Sequence, residues 1–239
     1  MKERGIIFNG EMVRAILDGR KTMTRRIIDW RRTRATDIAE RDDGSKWPWS
    51  EDCENGGDYW HGCPFGAVGD RLWVRETWGV VSHELDEDGR IQPWTPDRPA
   101  TAIHEMPFGN GYYSGHAIYS ADGGFTWGDD DGYEDGRSCW KPSIHMPRAA
   151  SRITLEITGV RVERLQDISE EDAVAEGIDM EELADAQDCY DCIADHNFTG
   201  RPTAAGHFSY LWQSIYGAES WQANPWVWVV EFRVIENRT

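Results

Sequence analysis

Two stretches rich in β-branched and aromatic residues constrain the fold more than anything else in this chain. Ala150 to Arg164 carries Ile153, Leu155, Ile157, Val160 and Val162, with Gly159 as a bulge or bend, and reads as one long strand or a hairpin arm. Pro225 to Ile235 reads as a closing strand with Trp226 and Trp228 on one face. Between them lie helices. Ser169 with Asp172 three residues on is a capping signature for a helix over Glu170 to Glu176, closed by Gly177. A second, acidic helix is expected over Met180 to Asp188 and a third over His207 to Tyr216.

The N-terminal part adds shorter pieces. Met12, Val13, Ile16 and Leu17 recur at helical spacing, and Asp18-Gly19 supplies a stop. Arg20 to Ile28 then reads as a strand whose extended geometry puts Thr22, Thr24 and Arg26 on one face and Lys21, Met23 and Arg25 on the other. After a turn at Gly69-Asp70, Arg71 to Trp78 alternates as a strand, and His116 to Ser120 is a further one. Residues 30–68 and most of 82–142 read as loop, because Gly and Pro interrupt any period. Strands before and after helices, without βαβ alternation, give an α+β domain on a small mixed sheet or barrel. There are no internal repeats and no low-complexity tract.

Hydrophobic residues make up 39% of the 239, enough for a core. The best apolar run, Trp226 to Val230, is far short of the roughly 18 residues of a membrane span, and the N-terminus lacks the apolar stretch of a secretion signal. No membrane partner and a cytoplasmic location are therefore expected. The net charge of −18 argues against generic duplex DNA as a partner. It also hides an asymmetry: residues 1–34 sum to +6, leaving −24 on the remainder. A basic segment on an acidic protein suits a nucleotide or short single-stranded RNA; the alternative is that these arginines pair with the abundant carboxylates. The acidic segments could instead bind a host protein.

Five cysteines in a chain that can fold without staples do not suggest a disulfide framework. Cys189-x-x-Cys192 with His196, together with Cys53, His61 and Cys63, has the ligand types of a structural zinc site, set against the alternative of buried free thiols. No cofactor other than this zinc is suggested. The Asp/Gly cluster from Asp122 to Gly136 does not fit a calcium loop.

The most suggestive local segment is Gly19-Arg20-Lys21-Thr22-Met23-Thr24-Arg25-Arg26. A partly desolvated lysine near a threonine can accept a hydroxyl proton, although a Lys- and Thr-rich surface strand would look the same. This segment, with Gly69-Asp70-Arg71-Leu72-Trp73-Val74-Arg75-Glu76-Thr77, Lys141 to Arg148 and Leu165-Gln166-Asp167-Ile168-Ser169-Glu170-Glu171-Asp172-Ala173, resembles the ASCH domain family, in particular its larger phage and prophage members. The resemblance implies a PUA-like small mixed β-barrel with flanking helices, one domain over residues 1–239, with insertions at about 30–68 and 80–138. In the phage group a Trp usually follows Met-Pro-Arg; this chain has Ala149, so any stacking role of that aromatic is absent.

Small ASCH proteins include amidohydrolases that deacylate N4-acylated cytidines, and larger members are held to bind RNA. The resemblance thus implies catalytic roles for Lys21, Thr24 and Glu176, with phosphate or ribose contacts from Arg25 and Arg26 beside Arg20. Read from its own surroundings, Glu76 alternates with Trp73 and Trp78 across strand faces and either points into the barrel mouth as a pocket residue, with Trp78 a further substrate-binding candidate, or pairs with the neighbours of Arg75, and Arg148 with Arg152 adds anion contacts. His145 reads as a structural histidine or, alternatively, a base. Of the 13 tryptophans, Trp73, Trp78, Trp212, Trp226 and Trp228 are expected in the core. Trp30, Trp47, Trp49, Trp60, Trp94 and Trp127 lie in polar stretches and are candidate stacking surfaces.

Overall fold

The computed structural model describes residues 1–52, 56–82, 86–90, 92, 96–127, 139–185 and 203–237. The chain divides into two compact units: Met1–Arg14, Arg71–Glu156 and Val234–Thr239 in the first, Ala15–Asp70 and Ile157–Arg233 in the second. The long strands β10 (Ile153–Arg164) and β11 (Trp226–Asn237) each contribute residues to both.

In the first unit β1 (Glu3–Ile7) runs parallel to β6 (Arg71–Arg75), with Gly5 opposite Trp73, and β6 pairs antiparallel with the start of β10. Alternation along β6 buries Leu72 and Val74. A separate three-stranded sheet has the order β7-β9-β8, from β7 (Trp78–Val81), β8 (Ala100–Phe108) and β9 (Gly111–Tyr119). Its core is Trp78, Ile103, Met106, Ala117 and Tyr119, closed by Met146 and Ala150.

In the second unit β2 (Met23–Ile27) pairs antiparallel with β11, in the order β10-β11-β2. Gly159 is a close approach, since a Cβ there would lie 2.5 Å from the Glu231 carboxylate. Beside it is a three-stranded sheet of β3 (Asp37–Glu40), β4 (Lys46–Asp52) and β5 (Gly57–Trp60). Helix α1 (Gly10–Leu17) ends in the left-handed Gly19, as the sequence predicts. Helix α2 (Glu170–Ala175) is capped by Ser169, whose hydroxyl accepts the Asp172 N–H. Residues 180–185 form α3, and α4 (Ala204–Tyr216) and α5 (Ala218–Gln222) follow. The Glu170 carboxylate accepts the Ala204 N–H at 2.8 Å, so α2 caps α4. Met23, Val227 and Val229 from the sheet pack with Leu165, Ala173, Phe208 and Trp212 in the core of this unit.

The α+β class and the mixed sheet are as expected, with 11 strands in several sheets among the described residues. Two points differ. Among the described residues the sheets are open and no barrel closes. The stretches read as loop contain β3, β4, β5, β8 and the first part of β9. Their strand signal comes from aromatics such as Trp47, Trp49, Tyr59 and Trp60 rather than from aliphatic alternation, and nearby Gly and Pro masked it. No helix of the described residues is long and apolar enough to cross a membrane.

Candidate functional site

The site is built where the entry to β2 meets the end of α2. The Lys21 backbone forms an isolated bridge with Glu176, and its N–H bonds the Ala15 carbonyl at 2.9 Å. The side chain is then carried inward. Lys21 Nζ donates to Glu176 Oε2 at 2.6 Å and to the Glu176 carbonyl at 2.7 Å, and the two residues are 1% and 4% exposed. Glycine is required immediately after Glu176. Gly177 has φ +96°, and a Cβ on it would lie 2.9 Å from Lys21 Cβ and 3.0 Å from Ala15 Cβ.

Arg25, on the same face of β2 as Lys21 and Met23, reaches the same helix. One nitrogen donates to Asp172 Oδ2 at 2.5 Å and to Glu163 Oε2 at 3.1 Å, and the other to Glu176 Oε1 at 3.4 Å. Asp172 and Glu176 stand four residues apart on one face of α2, so a single guanidinium spans both. Arg161 on β10 closes the network from the far side, donating to Asp172 at 2.6 Å and also to Glu163 and Glu231. Burial holds the Lys21 ammonium below the ordinary lysine range; Glu176 opposes this, while Arg26 and Arg25 push the same way as burial. The arrangement is a buried ammonium–carboxylate pair in which burial disfavours the charged lysine.

Six expected site residues remain, three of them on β2 or the turn that leads into it. Thr24 is buried on β2, but strand alternation turns it to the face opposite Met23 and Arg25, in register with Val230. Arg20 clamps the turn, donating to the Gly177 carbonyl at 3.1 Å and pairing with Asp18. Arg26 is half-buried and donates to the Tyr216 hydroxyl at 3.4 Å.

The other three lie in the first unit. Glu76 pairs with an arginine: Arg152 grips both its oxygens at 3.0 Å and binds Asp122 at 2.8 and 3.0 Å, with its guanidinium 4.0 Å from the Tyr119 ring centre. Burial pushes the Glu76 carboxyl up, against the pull of Arg152. Trp78 is fully buried, and Arg148 binds Glu3 and Thr154, each at 3.0 Å. His145 is exposed in a short turn, and Ala149 is exposed next to Arg148.

Of the zinc candidates, Cys53, Cys189, Cys192 and His196 lie outside the described residues, as does Trp94. His61 is hydrogen-bonded through Nε2 to Ser50 Oγ at 2.9 Å, and the described residues contain no metal-binding group of three His, Cys, Asp or Glu. Trp47, Trp49 and Trp60 are half-buried on strands, with Arg41 stacked 4.1 Å from the Trp47 ring centre and 5.1 Å from that of Trp60. Trp30 differs, being 42% exposed beside the exposed Arg31, Arg32 and Arg34.

Sequence reasoning missed the acidic partners of Arg25. Asp172 reads as a cap residue only, and nothing in the spacing of Arg161 and Glu163 links them to β2.

Neither a protein-family model nor a curated protein matches the chain. Among solved structures the chain is similar to an ASCH domain from Lactobacillus crispatus JV V101, with 12% identity and a TM-score of 0.33, over 99% of this chain and 81% of that one.

Proposed function

We propose that this chain is a nucleoside- or nucleotide-directed amidohydrolase that removes acyl groups from N4-acylated cytosine. The observation that carries the reading is the buried 2.6 Å contact between Lys21 Nζ and Glu176 Oε2, in which the ammonium is disfavoured by burial. Amide hydrolysis needs a proton taken from the attacking oxygen and a proton delivered to the leaving nitrogen. Thr24, or a water it positions, adds to the acyl carbon, and Lys21 takes the proton or stabilises the oxyanion. Glu176, receiving that proton from Lys21 across their 2.6 Å contact, passes it to the exocyclic nitrogen as the C–N bond breaks; attack by water gives the free amine and a carboxylic acid directly, whereas attack by Thr24 leaves an ester on Thr24 that a second water hydrolyses to the acid. Because Thr24 stands on the opposite face of β2 from Lys21 and Arg25, attack by a water that Lys21 itself activates is the form this reading favours.

Incubation with N4-acetylcytidine should release cytidine. Lys21→Ala and Glu176→Gln should each lower kcat by about 10²- to 10⁴-fold, the usual range for a lost acid–base group. Absence of turnover by the unmodified protein, or full turnover by Lys21→Ala, would sink the assignment.

A second reading is favoured by one separate observation. The exposed Trp30, followed in the sequence by the exposed Arg31, Arg32 and Arg34, has the chemistry of a short single-stranded RNA or modified-base reader. Arg25 has no part in it, because its side chain is fully buried against carboxylates.

A further inference from the structure

We infer that Arg25 is a positioning residue for the Lys21–Glu176 pair: anchored on Asp172 and Glu163, it holds one oxygen of Glu176 and thereby keeps the other on Lys21. The inference builds on the proposed reaction for its kinetic consequence, while the geometry behind it is independent of the substrate.

Four observations support it. The Arg25 side chain is fully buried, which removes it from any direct contact with a phosphate in solvent. Its two terminal nitrogens reach three carboxylates on two elements, Asp172 and Glu176 on α2 and Glu163 on β10. Its Nε, by contrast, is buried without a hydrogen-bond partner among the described residues, so the guanidinium is oriented toward those carboxylates at the cost of one donor. Lastly, Asp172 donates its backbone N–H to Ser169 while its carboxylate lies on Arg25 and Arg161. The acid of the capping signature thus anchors an arginine.

A carboxylate held by only one partner can rotate about its own side chain. Held at both oxygens, by Lys21 at 2.6 Å and Arg25 at 3.4 Å, Glu176 has its orientation fixed. A lysine at position 25 would keep the charge yet could not bridge three carboxylates, because an ammonium lacks the planar fork. The charged groups around the pair are Arg25 and Arg26 on β2, Asp172 on α2, Arg161 and Glu163 on β10, and Glu231 on β11.

Arg25→Lys is the deciding variant, since it leaves the net charge alone and gives up the fork that ties Glu176 to Asp172 and Glu163. The full-length protein, labelled with ¹³Cε-lysine, is titrated by NMR to follow Lys21, and turnover of N4-acetylcytidine is measured over pH. In Arg25→Lys the Lys21 titration should move down by about one pH unit, a tenfold loss of proton affinity. Its kcat should fall about tenfold at unchanged KM, with the alkaline limb of the profile displaced alike. Glu163→Gln, which loosens the guanidinium from the partly exposed side, should give a smaller shift in the same direction and remains informative if Arg25→Lys does not fold. A Lys21 titration that stays in place in the folded variants overturns the inference, whatever the turnover. A shifted titration in a protein that never hydrolyses N4-acetylcytidine upholds the positioning role and overturns the proposed reaction instead.

Discussion

At the scale of single residues, two buried charge clusters carry opposite pH signatures. Lys21 has its folded-state pKa lowered from 10.5, so the unfolded chain binds the proton more tightly. Stability contributed by this residue therefore rises with pH between the lowered folded value and 10.5. Urea unfolding at pH 7 and at pH 9.5 should show the unmodified protein gaining on Lys21→Met as pH rises; parallel behaviour of the two would refute the burial argument. Glu76 is the reverse case, with its folded value raised above 4.5, so protonation favours the folded state. Arg152→Met leaves Glu76 and Asp122 without their cation and should cost about 3–5 kcal/mol at neutral pH. That cost should shrink as pH falls from 7 toward 5, because the orphaned Glu76 then takes up a proton. An equal loss at both pH values, by chemical denaturation, would mean that the carboxylate stays ionised without Arg152. The Lys21–Glu176 contact was reachable from the sequence only through the family resemblance, which marked both residues. The Arg25–Asp172 contact spans 147 positions with no periodic cue, and Asp172 already had a complete local explanation as a cap residue.

Among elements, the join between α2 and β2 depends on Gly177 in two separate ways. Its φ of +96° is unfavourable for any L side chain, and its missing Cβ makes room for Lys21 and Ala15. Gly19 supplies a control, since it has φ +75° but nothing within 4 Å of where a Cβ would stand. Gly19→Ala should cost the left-handed penalty alone, about 1–2 kcal/mol. Gly177→Ala should cost more, about 2–4 kcal/mol by denaturant midpoint, and should lower turnover by pushing Glu176 off Lys21. Equal costs for the two variants would show that the close approach contributes nothing. Both turns were legible, because a glycine after a helical period is a stop signal with a physical cause. Strand β6 was legible because its burial follows the apolar alternation, and β10 and β11 because each carries a dense set of β-branched residues, while β2 was legible from its Thr and Ile. Strands β3 to β5 were not. Trp49 lies opposite Trp60 across β4 and β5, and the pairing of two distant aromatics replaces the local pattern that would announce a strand.

For the whole molecule, charge distribution rather than net charge decides which polyanion can approach. The segment 1–34 sums to +6 while the rest carries −24, and the structure shows that the two halves of that +6 are not equivalent. Lys21 and Arg25 are neutralised inside by Glu176, Asp172 and Glu163, whereas Arg31, Arg32 and Arg34, which follow Trp30 in the sequence, are exposed. Arg32 shares Asp29 at 3.2 Å, a surface pair that is 88% exposed on the arginine side and so competes weakly with a phosphate. Three outward guanidiniums release about 0.7 counterion each on meeting a single strand, so the affinity for a short single-stranded RNA should fall with salt at a log–log slope near −2. Trp30→Ala should weaken binding by about 1–3 kcal/mol by removing one stacked base, with the slope unchanged. Replacing the three arginines together should flatten the slope instead. A duplex of the same length should bind more weakly than the single strand, since its stacked bases offer no face to the indole while its denser phosphates meet the acidic remainder. Fluorescence anisotropy across a salt series separates these contributions. Tighter binding of the duplex, or a slope unaffected by the triple arginine replacement, would place the contact elsewhere on the molecule and remove Trp30 from the account.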